Sequence, residues 1–190
     1  MNWYRLFLES EKVQAEPNEY SWVRLDIPSD ICEVHDSVTK EIDEEDLYIE
    51  EQGGEDWSYG LEDKPHITVK WEIDFDEPKK VLDCLKGEKG GTVTLDKATI
   101  FDNDKYDVLV IECKSEALQK LHKKLTKDLE IEDDYDKYTP HVTIGYFKKG
   151  KAKKYKAMAE KAFTYYLLEF KFDEVIFEDT KDKETVIKLG

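Results

Sequence analysis

Two short stretches decide how this chain reads: Lys64-Pro65-His66-Ile67-Thr68-Val69 and Thr139-Pro140-His141-Val142-Thr143-Ile144. Both run Pro-His-aliphatic-Thr-aliphatic. A single His-x-Thr carries almost no information, but two copies that each follow a proline should arise by chance on the order of once in ten thousand or less. The Ile, Val and Thr content makes each stretch a strand, and residues two apart in a strand share a face. His66 and Thr68 therefore project together, with Ile67 and Val69 turned to a core. His141 and Thr143 project likewise, against Val142 and Ile144. The proline suits a strand start, where no ladder donor is lost.

Outward from these stretches, the same order of elements precedes each one. Residues 18–27 (NEYSWVRLDI) alternate as a strand, with Val23, Leu25 and Ile27 on one face and Trp22, Arg24 and Asp26 on the other. Ser29 or Asp30 then offers an N-cap for a helix carrying Ile31, Val34, Val38 and Ile42. In the second unit, residues 106–113 read as a strand. Ser115 caps an amphipathic helix with Leu118, Leu121, Leu125 and Leu129 on its stripe. Strand-helix-strand thus occurs twice, over residues 18–73 and 106–147. Residues 92–101 form a hairpin with 106–113 through Asp102-Asn103-Asp104-Lys105. A short helix over 77–85 stops at Gly87, a basic helix covers 151–162, and strands over 165–177 and 185–189 close the chain. The pattern is α+β: two similar lobes of antiparallel or mixed sheet with helices packed outside, flanking a central cleft. We read residues 1–190 as one bilobal domain, with an N-terminal extension over 1–17 and an acidic loop over 43–65.

Composition bounds the partners. The chain has 29 basic and 45 acidic residues in 190, a net charge of -16, and 39% hydrophobic residues with 12% aromatic. The four Trp, eleven Tyr and eight Phe need a core to pack in, which argues against disorder throughout. A surface this acidic repels a long nucleic-acid duplex, so any polyanionic ligand is small or met by a local positive pocket. Three widely spaced cysteines, Cys32, Cys84 and Cys113, fit neither a disulfide scaffold nor a CxxC zinc site. The first residues turn acidic too soon for a signal peptide, and no run is long enough to cross a bilayer. We expect a monomer in a reducing cytoplasm, with no membrane partner.

Two motif strands side by side would present two imidazoles and two hydroxyls to one cleft. A neutral imidazole takes a proton from an attacking hydroxyl or water, and a protonated one gives a proton to the leaving oxygen. Histidine titrates near pH ~6.5, so both states are accessible. Threonine hydroxyls donate to non-bridging oxygens as charge builds on them. This set suits phosphodiester cleavage without a metal. The two contexts are alike, so they assign the roles to the pair without saying which histidine is acid.

The pair resembles the signature of the 2H phosphoesterase superfamily, named for two His-x-Thr/Ser motifs, and the resemblance covers roughly residues 18–189. Its members include RNA 2′,3′-cyclic phosphodiesterases (also called 2′-5′ RNA ligases), oligoadenylate 2′-5′ phosphodiesterases, and viral enzymes that destroy cyclic-oligonucleotide immune signals. The stretch from Tyr59 to Trp71, YGLEDKPHITVKW, looks most like small phage members, including those that act against such signalling. The resemblance implies a two-lobed fold, His66 and His141 as the acid/base pair, and Thr68 and Thr143 as phosphate donors. It implies no metal or other cofactor, a small nucleotide or oligonucleotide substrate, and, for a viral protein, the host cytoplasm.

Further substrate-binding candidates follow from alternation. Lys70 comes next on the cleft face after Thr68, as a phosphate contact or an exposed strand lysine. Gly145 follows Thr143 and leaves room for ligand, and Phe147 comes next as a base-stacking residue. Trp71 and Tyr146 fall on the core face unless a bulge intervenes. If the first strand neighbours the His66 strand, Trp22 could stack a base and Arg24 pair with a phosphate. Trp57 and Tyr59 in the acidic loop close over a nucleotide or anchor the loop. The run Lys148-Lys149-Gly150-Lys151-Ala152-Lys153-Lys154 steers an anion or is simply solvated. His35 and His122 lie among charged residues on helices and read as surface residues. Rival readings are a nucleotide-binding sponge without catalysis and an acidic protein that mimics nucleic acid.

Overall fold

Alternating apolar residues build one curled antiparallel sheet, on which the helices lay their apolar stripes. The structure is a computed structural model that describes residues 20–52, 55–57, 60–132, 137–164 and 168–190. The 1–17 extension and Tyr59 lie outside the described residues, as does the side chain of Trp57. In chain order the elements are β1 (Ser21–Asp26), α1 (Ser29–Thr39), β2 (Glu50–Gln52), β3 (Glu55–Trp57), β4 (His66–Ile73), α2 (Pro78–Leu85), β5 (Gly91–Asp102), β6 (Tyr106–Lys114), α3 (Glu116–Asp128), β7 (His141–Lys148), α4 (Lys153–Thr164), β8 (Glu169–Phe172), β9 (Glu174–Glu178) and β10 (Glu184–Lys188). Among the described residues, β2 and β3 pair only with each other. The other eight strands form one sheet in the order β10-β9-β1-β4-β7-β6-β5-β8. Every pairing in it is antiparallel.

The expected two lobes are the two halves of this sheet. They meet where β4 pairs with β7, at the single residue pair Ile67–Val142. The final stretch, predicted as one strand over 165–177, holds two strands with only Asp173 between them: β8 at one end of the sheet order and β9 next to the strand at the other end. That crossing requires the sheet to curl until its ends lie close together. Gly90 serves the curl, because a Cβ there would stand 1.8 Å from the Phe172 carbonyl oxygen.

The core follows the predicted faces. Val23, Leu25, Ile67, Val69, Val142 and Ile144 are buried, as are Leu118, Leu121 and Leu125 on α3. Ser115 caps α3 by accepting from the Leu118 amide at 3.3 Å. The cap of α1 differs from expectation: Pro28 holds the N-cap position, and the Asp30 carboxylate accepts from the Ile31 amide inside the first turn. The loop over 43–65 is more built than its composition suggests. Asp46 is 2% exposed, and its carboxylate accepts from Lys151, the Tyr155 hydroxyl and Lys154, which lower its pKa to about 2. Lys148 donates to the Glu45 carbonyl and Lys149 pairs with Asp102 and Asp107. Most of the basic run is thus matched within the chain, which accounts for it without a role in steering.

Candidate active site

The seam between the halves assembles the motif residues. Ile67 and Val142 face each other on the core side at 0% exposure. Their neighbours alternate to the opposite side. The antiparallel sense brings His66 toward Thr143 and Thr68 toward His141, and all four are half-buried. The structure thus brings the four predicted catalytic residues to one face.

Both imidazoles are oriented in the same way. His66 Nδ1 donates to the Lys64 carbonyl at 2.8 Å, and His141 Nδ1 donates to the Thr139 carbonyl at 2.8 Å. Each bond reaches back two residues across the motif proline. It fixes the tautomer with the proton on Nδ1 and leaves Nε2 of the neutral ring as the basic atom. The surroundings of the two rings differ. The edge of Trp22 meets His66 at 4.8 Å between ring centres, and Phe101 meets His141 at 5.0 Å. Burial lowers the pKa of His141; the bond to the Thr139 carbonyl opposes it in part, a charge on His66 adds a smaller lowering, and Glu112 a still smaller rise.

A cavity of about 730 Å³ opens beside Thr68, His141 and Thr143. Its aromatic wall includes Trp71, Phe101, Tyr106, Tyr138 and Tyr146. Two of these, Trp71 and Tyr146, were expected on the core side, and the reason they are not is the bulge in each motif strand. In β4 the register against β1 jumps from Arg24–Thr68 to Val23–Lys70. In β7 the register against β6 jumps from Val110–Thr143 to Leu109–Gly145. One extra residue directly after each threonine reverses the alternation beyond it. Trp71 therefore turns outward at 45% exposure, and Tyr146 lines the cavity.

The same shift corrects the candidates placed by strict alternation. Phe147 is fully buried and packs on Tyr155, so it stacks no base. Lys70 borders the cavity but is 4% exposed, with its ammonium donating to the Glu132 carbonyl at 2.7 Å. Gly145 makes room for the chain itself, since a Cβ there would lie 3.0 Å from the Gly60 carbonyl oxygen. Trp22 does stand beside His66, and Arg24 lies over its ring at 5.1 Å. Arg24 is nonetheless already matched: it is buried and bound to Asp26, Glu178 and Glu184. β9 and β10 bring the last two carboxylates from the far end of the chain, so nothing in the residues around Arg24 signals them.

His35 and His122 are not surface residues. His35 is 1% exposed and its Nε2 donates to the Thr143 carbonyl at 3.0 Å. His122 is half-buried, and its Nδ1 donates to the Val69 carbonyl at 2.7 Å. Its ring stacks on Tyr138 at 4.0 Å, and the Tyr138 hydroxyl donates to the Thr68 carbonyl at 2.8 Å. Their helical spacing was the missed signal: Ile31, His35, Val38 and Ile42 form one stripe. Among the described residues, no three His, Cys, Asp or Glu side chains gather as a metal site, and no helix is long and apolar enough to cross a membrane.

A duplicated strand-helix-strand unit that sets two His-x-Thr strands side by side defines a phosphoesterase of the two-histidine class. The sequence pattern of the 2′-5′ RNA ligase superfamily matches residues 62–184, and the chain belongs to that superfamily. Solved structures share the fold at low identity. The TT0787 protein of Thermus thermophilus is 14% identical with a TM-score of 0.56, over 88% of this chain and 94% of that one. Escherichia coli LigT complexed with phosphate is 15% identical with a TM-score of 0.53, over 93% and 96%. Kluyveromyces marxianus Usb1 with uridine monophosphate is 11% identical with a TM-score of 0.53, over 90% and 99%. No curated protein matches the chain by sequence.

Proposed function

We propose that this protein is a metal-independent phosphodiesterase that cleaves small cyclic or 2′-5′-linked nucleotides, with His141 as base and His66 as acid. The observation that carries this reading is the pair of Nδ1-fixed imidazoles flanking one seam, each with a threonine on the same face. In the forward step His141 Nε2 takes the proton from the attacking water or hydroxyl, and that oxygen bonds to phosphorus. The bond from phosphorus to the leaving oxygen breaks, and protonated His66 gives that oxygen its proton. The two hydroxyls of Thr68 and Thr143 donate to the non-bridging oxygens as their charge grows. His141 takes the base role because burial favours its neutral form.

The cavity supports a compact substrate. About 730 Å³ suits one or two nucleotides, and its aromatic wall offers π-faces for bases. The net charge of -16 disfavours a long strand. The proposal extends to 2′,3′-cyclic phosphate ends and to cyclic oligonucleotides of the kind a viral counter-defence enzyme destroys, for a monomer working in the cytoplasm. The test is incubation of the pure protein with a panel of both classes in EDTA, with products read by mass spectrometry. Cleavage that survives EDTA and is lost in His66→Ala is the expected result. Ligand bound and returned intact would make the protein a sponge, and turnover abolished by EDTA would contradict the mechanism.

A further inference from the structure

The two histidines outside the motif pair occupy matching places in the repeated units. His35 is the seventh residue of α1 and His122 the seventh of α3. Each belongs to one unit and bonds the other. α1 lies in the first unit, and His35 donates to Thr143 in β7. α3 lies in the second unit, and His122 donates to Val69 in β4. The accepting carbonyls lie where the sheet has least to hold it. β4 and β7 pair only at Ile67–Val142, and each bulges directly after its threonine. Backbone carbonyls released at such a point need donors. On the β4 side the Tyr138 hydroxyl adds a third, to the Thr68 carbonyl itself.

We propose that His35 and His122 are positioning residues, a crossed pair of braces that hold the two motif threonines in register across the seam. A fixed carbonyl fixes its peptide plane, and the peptide plane sets where the neighbouring threonine hydroxyl points. Catalytic groups need placing to within about 0.5 Å, and an error of about 1 Å costs on the order of a hundredfold. The braces act through Thr68 and Thr143: His35 lies outside the cavity lining, and His122 borders the cavity with its Nδ1 turned to the Val69 carbonyl. For its kinetic readout the proposal rests on the phosphodiesterase reading; its structural readout is independent of that reading.

The experiment compares wild type with His35→Leu, His35→Gln, His122→Leu and His122→Asn, using 2′,3′-cyclic AMP and 2′-5′-linked diadenylate as probes. Leucine removes the donor, whereas the glutamine and asparagine amides put a donor near the lost Nε2 and Nδ1. The expected result is a kcat about tenfold lower or worse in each leucine variant, KM within about twofold, and most of the rate restored in the amide variants. Folded leucine variants that keep kcat within about twofold, or amide variants no better than leucine, would overturn the proposal. His122 is half-buried, so its variants keep the test open if His35→Leu does not fold. Nitrogen-15 NMR of the wild type adds the second readout: His35 protonated on Nε2 and His122 on Nδ1 are expected, and the opposite tautomer in either overturns the brace. A wild type that cleaves neither these probes nor the cyclic oligonucleotides of the panel above overturns the phosphodiesterase reading, and the tautomers then decide the brace alone.

Discussion

The half of the sheet that carries His66 and the half that carries His141 use the same five-residue motif, the same Nδ1 bond to the carbonyl two residues back, and the same bulge after the threonine. They differ in what surrounds the ring. His66 has Trp22 at its edge, whereas His141 sits against Phe101 in an environment that disfavours its charge. Duplication supplies two equal imidazoles, and in the proposed mechanism it is their unequal surroundings that divide the proton-accepting and proton-donating roles between them. A phosphoryl-transfer site needs both states at once, and two copies in identical surroundings would compete for the same one.

The largest expected effect comes from removing either ring. His66→Ala and His141→Ala should each lower kcat by about 10²–10⁴. The double variant should fall little below the worse single one, because the two act as a unit. Losses that multiply in full would show two independent sites. Next, Thr68→Val and Thr143→Val each remove one donor to the charged oxygens and should cost about 10² in kcat. Similar losses in both support the paired geometry, and an effect confined to one would break the symmetry of the two halves. Trp71→Ala should raise KM about tenfold with kcat nearly unchanged, the loss of one stacked base.

Smaller still is the effect of Phe101→Ser. Water admitted to His141 should move the acid limb of kcat/KM up toward pH ~6.5, since that limb reports deprotonation of the base. In the wild type the limb should lie lower, because burial lowers the His141 pKa. Stability follows the same sign. Burial also lowers the pKa of His35, so the folded chain binds fewer protons at both rings than the unfolded chain does. Their contribution is complete above pH ~6.5 and is lost as pH falls through the lowered folded values. The melting temperature should decline as the pH falls below about 6.5, and less so in His35→Gln.

Much of this is legible in the sequence, because alternation and the repeated motif are local signals. The strands around Val23, Ile67 and Val142, the helix capped by Ser115, and the four motif residues follow from periodicity and repetition alone. The bulges are not legible: each adds one residue without altering composition, so strict alternation puts Phe147 in the cleft and Tyr146 in the core. Arg24 is misread because its partners Glu178 and Glu184 arrive only through the sheet order. For His35 and His122, neighbouring charges outweigh the helical spacing. Aligning the two units by helix position shows that they match.

The most direct measurement of the division of labour is a nitrogen-15 NMR titration of the His141 ring. The account requires a neutral ring protonated on Nδ1 that takes its second proton only below the ordinary histidine value. A His141 that titrates above pH ~6.5, or whose neutral form carries its proton on Nε2, would contradict it.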